Sequence, residues 1–356
     1  MPLIVLVNFA THSKRDSRRG WRRVGWEKSP ARRNRVATAP KRFCPRSCAL
    51  TPRCPAYACY ISEMPKEPKH HYIPIFYLQQ WAGKDGRLIE FCRRYQGVVA
   101  RPTFPDGTGY VRGLYKLPGS APGDEYIIET KLMSDIDNRA AKALQRMMVD
   151  GEAPGKLEEQ DALGWCQFLY SLIVRNPEHL LRMKEKLQTL EPGEVLENIR
   201  EDYPNIRQPS DPETFDEYKE AFLKNPVEIP SVRVLPELVR SKRVVRVLAS
   251  FKWATHTVRT AEHSLLTSDR PIIMSNGLSQ QDAFILLPIS PRRVFIATKD
   301  EETVRSITSM PSDKIVEAVN NQIAQQAHRF VFGQDNKQLR FVSKRIGKRV
   351  WSSPLG

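Results

Sequence analysis

No stretch of this 356-residue chain approaches the ~20 consecutive apolar residues a membrane helix needs, so no membrane partner is expected. Leu3 to Ala10 is apolar but short, and its arginine-rich flank follows it. A secretory signal has the opposite order, positive charge first and a small-residue cleavage site after. An arginine-rich, acid-poor start also imitates an organelle transit peptide, an alternative to the cytoplasmic location preferred here. Also missing are a Gly-Lys-Ser/Thr phosphate loop, a G-x-G-x-x-G turn, a G-x-S-x-G elbow and an HExxH helix. Those absences remove the commonest nucleotide-dependent, dinucleotide-dependent, serine-hydrolase and zincin chemistries.

Cysteine is scarce, and four of the six fall at Cys44, Cys48, Cys54 and Cys59. Their spacing lacks the tight C-x2-C knuckle of zinc sites, so an incidental cluster is preferred to a metal knuckle. Cys92 and Cys166 lie in apolar contexts and are expected to be buried as small hydrophobes.

Acidic residues are nearly absent from the start of the chain. Residues 1–63 hold 14 of the 56 Lys and Arg but 3 of the 40 Asp and Glu. The other 293 residues carry 42 basic and 37 acidic side chains, so most of the formal +16 belongs to the leader. An arginine-rich segment with no sustained period buries too little apolar surface to offset its ordering entropy, and it is expected to be disordered. Met64 opens Met-Pro-Lys-Glu-Pro-Lys-His-His, a natural start of its own, so the leader also fits a reading frame opened too early. Residues 64–356 are expected to form a single globular domain.

Within that domain, Pro74 predicts the start of a short helix carrying Tyr77 and Trp81, ended by Gly83. Strands are predicted over Leu88 to Arg93 and Tyr110 to Leu117, after turns at Lys84-Asp85-Gly86 and Pro105-Asp106-Gly107. The period then changes. Leu132, Ile136, Ala140 and Leu144 form one helical stripe, and Trp165, Phe168, Leu169, Leu172 and Ile173 form another. Asn176 reads as an N-cap with Pro177 at the first position of the next helix. Further helices are expected at Phe215 to Phe222 and Leu235 to Leu248, and strand character at Phe251 to Val258 and Phe284 to Ala297. A last amphipathic helix runs through Ile315, Val319, Ile323, Ala327 and Phe330, with Gly333 as its C-cap. The order argues a helix-dominated α+β single domain with small antiparallel sheet elements.

Two segments are dense in polar groups: His70-His71-Tyr72 ahead of Ile73-Pro74, and Thr267-Ser268-Asp269-Arg270-Pro271 between two apolar runs. The run Lys69 to Leu78 resembles the signature of a largely bacterial family catalogued as domain of unknown function 4238. The resemblance extends to Arg175-Asn176-Pro177, Leu266 to Pro271, Leu287-Pro288-Ile289-Ser290-Pro291, Val319-Asn320-Asn321 and Arg329 to Phe332, spanning residues 66 to about 335. Ile75 and Arg270 depart from it, standing where Gln and Asn are frequent. The resemblance implies one domain and brings no activity, fold or cofactor with it.

Imidazoles near a helix N-terminus are held neutral, so His70 and His71 can bind a divalent metal or act as a base. Alternatively one ring caps the helix or packs beneath Trp81. Asp269 is either a third metal ligand, or a partner orienting His71, or a structural carboxylate accepting nearby backbone amides. Arg175 either complements a helix dipole or aims a fork at a phosphate or carboxylate. It is a candidate catalytic residue together with Tyr72, and His263 is an extra candidate ligand. Asp106 with Glu129-Thr130-Lys131 imitates a restriction-nuclease core. Glu129 and Lys131 read as the start of a helix, however, where i and i+2 point apart. The leading expectation is a metal-assisted hydrolase, with a phosphodiester as its candidate substrate. Its competitor is a non-catalytic binding or regulatory module, for instance in host defence. The run Lys344-Arg345 and Lys348-Arg349 reads as a solvated basic tail with weak attraction for nucleic acid.

Overall fold

The computed structural model describes residues 67–117, 120, 123–149, 157–189, 197, 200, 203–207, 211–224, 231–275, 278, 280 and 283–349. The expectations placed on the arginine-rich leader and its four cysteines lie outside these residues.

The first motif makes a strand and then a helix. β1 (Lys69–His71) pairs antiparallel with β4 (Tyr110–Arg112), and α1 (Ile75–Leu78) runs on as a 3-10 turn through Trp81. Pro74 occupies the cap position, one residue earlier than expected, with an extended backbone at φ −62° and ψ 145°. Gly109, at φ +65°, lets β4 close on the motif: its carbonyl accepts from Ile73 N–H at 3.1 Å, and a Cβ there would lie 3.1 Å from that of Ile73.

Two four-stranded antiparallel sheets follow. One has the order β3 (Gly97–Thr103), β2 (Leu88–Arg94), β10 (Phe330–Gly333), β6 (Thr267–Ser268). The other runs β5 (Lys252–Thr257), β9 (Arg293–Thr298), β8 (Phe284–Ser290), β7 (Ile273–Met274). The Asp269 turn therefore carries the chain from the first sheet to the second. With the helices below, this is an α+β fold.

A π-turn at Ile128–Met133 leads into α2 (Ser134–Met148), followed by α3 (Glu159–Val174) and α4 (Pro177–Thr189). The apolar stripe that runs from Leu132 of the π-turn into α2 is buried there and at Ile136, Ala140 and Leu144, and that of α3 at Trp165, Phe168, Leu169 and Leu172. Gly164 lets the two helices approach so closely that a Cβ there would lie 2.5 Å from Arg139 Cβ. Next come α5 (Tyr203–Ile206), α6 (Phe215–Lys224), α7 (Ser231–Val239), α8 (Lys242–Ala249), α9 (Glu301–Thr308), α10 (Ser312–Gln326) and α11 (Leu339–Ser343). Among the described residues, no helix is long and apolar enough to cross a membrane.

Several elements differ from expectation. The helix expected over Leu235 to Leu248 is two, broken at Arg240-Ser241, whose amides close back on Pro236 and Leu238. The strand from Tyr110 stops at Arg112, where Gly113 turns at φ +63°. β3, the hairpin partner of β2, was not anticipated. Gly333 is no C-cap: α10 ends at Gln326, and Phe330–Gly333 is an inner strand between β2 and β6. Lys344 to Arg349 is not a loose tail, because Gly347 and Arg349 donate their N–H groups to Ala324 and Gln325 of α10.

One core gathers Tyr77, Trp81, Trp165, Phe168 and Phe295 between α1, α3 and the second sheet. A second gathers Phe91, Leu266, Ile323, Val331 and Val342 between the first sheet and α10. Cys92 and Cys166 are buried, as their contexts predicted.

Candidate functional site

Alternation along β1 buries the His70 ring completely and leaves His71 half-buried. His70 Nδ1 accepts the Tyr115 N–H at 2.8 Å, and its ring stacks on Tyr115 at 5.5 Å. With Nδ1 accepting, the neutral ring carries its proton on Nε2. Nδ1 is thus engaged in holding the Gly113 turn. His71 lies against Tyr110, its Nε2 is 3.4 Å from the Asp106 carbonyl, and its backbone N–H donates to Glu129 Oε1 at 3.3 Å. Burial, the largest influence on the His71 ring, lowers its proton affinity; Lys69 and Arg175 lower it further, against the Asp106 carbonyl.

Opposite His71 stands Glu129, in the π-turn ahead of α2. Such turns displace one side chain from the regular helical path, and they are frequent at functional sites. Glu129 Oε2 is buried with no hydrogen-bond partner among the described residues. Burial raises its carboxyl to about 7, outweighing the His71 N–H and Arg175, which favour the anion; Asp137 adds to the rise. Near neutral pH this carboxyl is therefore divided between its two protonation states.

Arg175 follows the last residue of α3 and turns its side chain inward rather than to solvent. Its guanidinium is fully buried. Nη1 donates to Asp137 Oδ1 and Oδ2 at 3.0 and 3.3 Å, while Nε and Nη2 have no hydrogen-bond partner among the described residues. The Tyr115 hydroxyl donates to the Arg175 carbonyl at 2.9 Å, and the Phe168 ring lies 5.8 Å from the guanidinium. Asp137 is 23% exposed; burial raises its carboxyl and Arg175 opposes the rise. Burying one charge against another at this cost leaves Nε and Nη2 as an unused edge of the guanidinium.

Asp269 has a different task. Both its carboxylate oxygens accept backbone N–H groups, from His328 at 2.8 Å, Arg329 at 2.6 Å and Phe330 at 3.0 Å. Its own N–H donates to the Phe330 carbonyl, and its carbonyl accepts from Asn176 Nδ2 at 3.0 Å. Burial moves the carboxyl up to about 6, against those three amides. Asp269 thus accepts amides as one alternative predicted, from a segment about sixty residues away rather than from its own turn. The local turn is made by Ser268 Oγ, which accepts the Arg270 N–H.

Tyr72 connects the two regions. It is buried, and burial with the Asp269 charge lifts its hydroxyl far above the ordinary range, so it keeps its proton. The charge of Asp269 reaches Tyr72, yet its carboxylate is engaged elsewhere. His70, His71 and Asp269 do not present their donors to one point. Among the described residues, no group of three or more His, Cys, Asp or Glu side chains is placed to hold a metal ion. His263 is exposed, and its carbonyl accepts from Arg292. Lys131 is exposed while Glu129 turns inward, so the nuclease-like spacing does not become a strand-borne core.

Other residues of the recurrent motifs hold the fold. The Tyr77 hydroxyl meets Thr267 Oγ1 at 2.7 Å and donates to the Pro288 carbonyl at 2.6 Å; Trp81 Nε1 donates to the Leu265 carbonyl. Asn176 Oδ1 accepts the Glu178 N–H, making the expected cap. Asn320 accepts the Leu266 N–H and donates to the Ser264 carbonyl. Arg270 and His328 both pair with Glu178. Sequence reasoning had no signal for Asp137, an acid beside a buried stripe, and met Glu129 only as half of a chance motif.

No curated protein and no solved structure matches this chain. The profile of a family described as "Protein of unknown function (DUF4238)" matches residues 69–337, most of the chain and all of the site. The motifs that build the Asp269 anchor, the Asn176 cap and the inward-turned Arg175 lie within that match, and the chain belongs to this family.

Proposed function

We propose that His71, Glu129, Asp137 and Arg175 form a catalytic site for hydrolysis of a substrate bearing a phosphate or carboxylate oxyanion, with Glu129 as the proton carrier. The observation that supports this reading is a half-buried Glu129, its Oε2 unpartnered and its carboxyl titrating near 7, within electrostatic reach of a buried guanidinium that has two unpaired nitrogens. General acid–base catalysis works best when the group's pKa lies near the working pH. Arg175 Nε and Nη2 hold two oxygens of the substrate and offset the charge that grows on them. Asp137 fixes the guanidinium and acts as a positioning residue. Glu129 takes a proton from water as the oxygen attacks, then returns it to the leaving oxygen, so no net proton is gained or lost. His71, neutral at pH 7, hydrogen-bonds to the water or the leaving group.

The metal-assisted form of this hydrolysis has less support. His70 Nδ1 is engaged by the Tyr115 amide and the Asp269 carboxylate by three others, so binding an ion would cost those bonds. Tyr72, held protonated, acts as a hydrogen-bond donor rather than a base. The competing reading is a non-catalytic binding module, which the three amide bonds to the Asp269 carboxylate support.

The test is turnover of bis(p-nitrophenyl) phosphate and the mono-p-nitrophenyl ester of glutaric acid by the full chain, with and without chelator. Slow hydrolysis of one substrate is expected, insensitive to chelator and abolished in folded Glu129→Gln. Turnover unchanged in Glu129→Gln, or none on either substrate, overturns the proposal and leaves the binding module.

A further inference from the structure

Two segments far apart in sequence bring their cations to one face. The β2–β3 hairpin carries Arg93 and Arg94 beside Tyr95, whose ring is fully exposed. Arg93 Nη2 donates to the Ile346 carbonyl at 2.9 Å, which pins the hairpin to the closing segment, and α11 packs against β3. Residues 334–349 contain six cations and one acid, Asp335, which faces Lys337 at 3.9 Å.

The closing segment is held rigidly. Gly347 turns at φ +68° and donates to the Ala324 carbonyl; Arg345 Nε donates to Asn321 Oδ1 and Arg349 Nη1 to Gln322 Oε1, both at 2.8 Å. The α10 surface beneath these cations thus offers amides, not carboxylates. The acid one turn away, Glu317, is turned to Lys314 at 3.5 Å. Solvated cations usually intersperse with acids; these six and Arg93, held together with one carboxylate among them, make a local positive field.

We infer that this face, built by Arg93, Lys337, Arg340, Lys344 and Lys348, binds the phosphate backbone of a nucleic acid. The chemistry favours that partner over an anionic membrane. Arginine forks match phosphate oxygens, and an exposed tyrosine offers a base a stacking surface. Membrane docking would call for several apolar side chains at the patch, whereas Val342 and Ile346 point into the core. Binding here is independent of the chemistry proposed for Glu129 and Arg175.

The test is fluorescence anisotropy of a labelled single-stranded RNA and a labelled DNA duplex with the full chain, across a salt series. The patch variant is Arg340→Glu, Lys344→Glu, Lys348→Glu. A charge-matched control, Arg240→Glu, Lys242→Glu, Arg243→Glu on and before α8, leaves the patch intact. All proteins retain the basic residues 1–63, so differences report the patch. Loss of about tenfold or more in affinity is expected for the patch variant only. The slope of log affinity against log salt should fall by about 2, since each lost phosphate contact removes roughly 0.7 to 0.9. The milder set Arg340→Gln, Lys344→Gln, Lys348→Gln should give a smaller loss of the same sign. Equal losses in patch and control variants, or unchanged binding, would each overturn the inference.

Discussion

Arg175 Nη1 reaches Asp137 across two packed helices, at 3.0 Å from Oδ1, and this contact fixes the guanidinium within electrostatic reach of His71 and Glu129. The approach depends on Gly164, where α3 lies against Arg139 of α2, two residues beyond Asp137. Close packing and the polar site are therefore linked through the same pair of helices.

Removing the counter-charge tests that link. Asp137→Ala leaves a fully buried guanidinium with no ion-pair partner, and breaking such a pair costs about 3–5 kcal/mol. Asp137 is itself partly exposed, so the lower end is expected, read as a fall in the urea midpoint with the slope unchanged. A loss under about 1 kcal/mol would mean that Arg175 finds water or another partner.

Gly164→Ala is expected to destabilise, although alanine is ordinarily the better helix former by about 0.5–1 kcal/mol. The new Cβ would lie 2.5 Å from Arg139 Cβ, so the helices must part. Overpacking of this kind costs about 1–3 kcal/mol, and a lowered Tm is the readout. A raised Tm would show that α2 and α3 are further apart than described.

Tyr77→Phe removes a buried hydroxyl joining α1 to both sheets, through Thr267 Oγ1 and the Pro288 carbonyl. The orphaned carbonyl makes the expected cost about 1–3 kcal/mol. Hydrogen exchange at residues 75–81 should quicken in the variant, and unaltered protection there would contradict this account.

Glu129 also sets a pH dependence of stability. Its folded carboxyl titrates at about 7 against an ordinary 4.5, so between those values the native state holds a proton the unfolded chain has released. Stability from this group is therefore fully present below 4.5 and is lost as pH rises through 7. The loss should be about 2 kcal/mol, reduced from the full shift because the residue is only half-buried. Glu129→Gln should flatten the profile over that window, and a profile unchanged by the substitution would contradict the assignment.

The sequence announced the parts whose period is long enough to read. The α2 and α3 stripes run through four or five apolar positions each, and Asn176-Pro177-Glu178 carries its own capping chemistry. β10 was hidden because Phe330 continues the apolar series of α10 at helical spacing. Its strand pairing is dictated by Cys92 and Ser268 of distant segments rather than by local pattern. Gly333 tolerates no Cβ for the same tertiary reason: one would meet Leu266 Cδ2 at 2.9 Å. The His-His-Tyr and Asp269 segments were visible as polar clusters, but their division of labour was not. Whether a carboxylate faces a site or three backbone amides depends on where residues 328–330 return. Asp137 and Glu129 acquire their significance only when α2 packs against α3 and β1.

The central claim is that Glu129 holds a transferable proton near neutrality beside Arg175. Its most direct test is a carbon-detected NMR titration of the glutamate carboxyls, with the Glu129 resonance assigned by its absence from Glu129→Gln. A midpoint near 7 that moves upward in Arg175→Met, where the favourable charge is gone, is the predicted result. A midpoint near 4.5 in the unmodified chain, insensitive to Arg175→Met, would contradict the account.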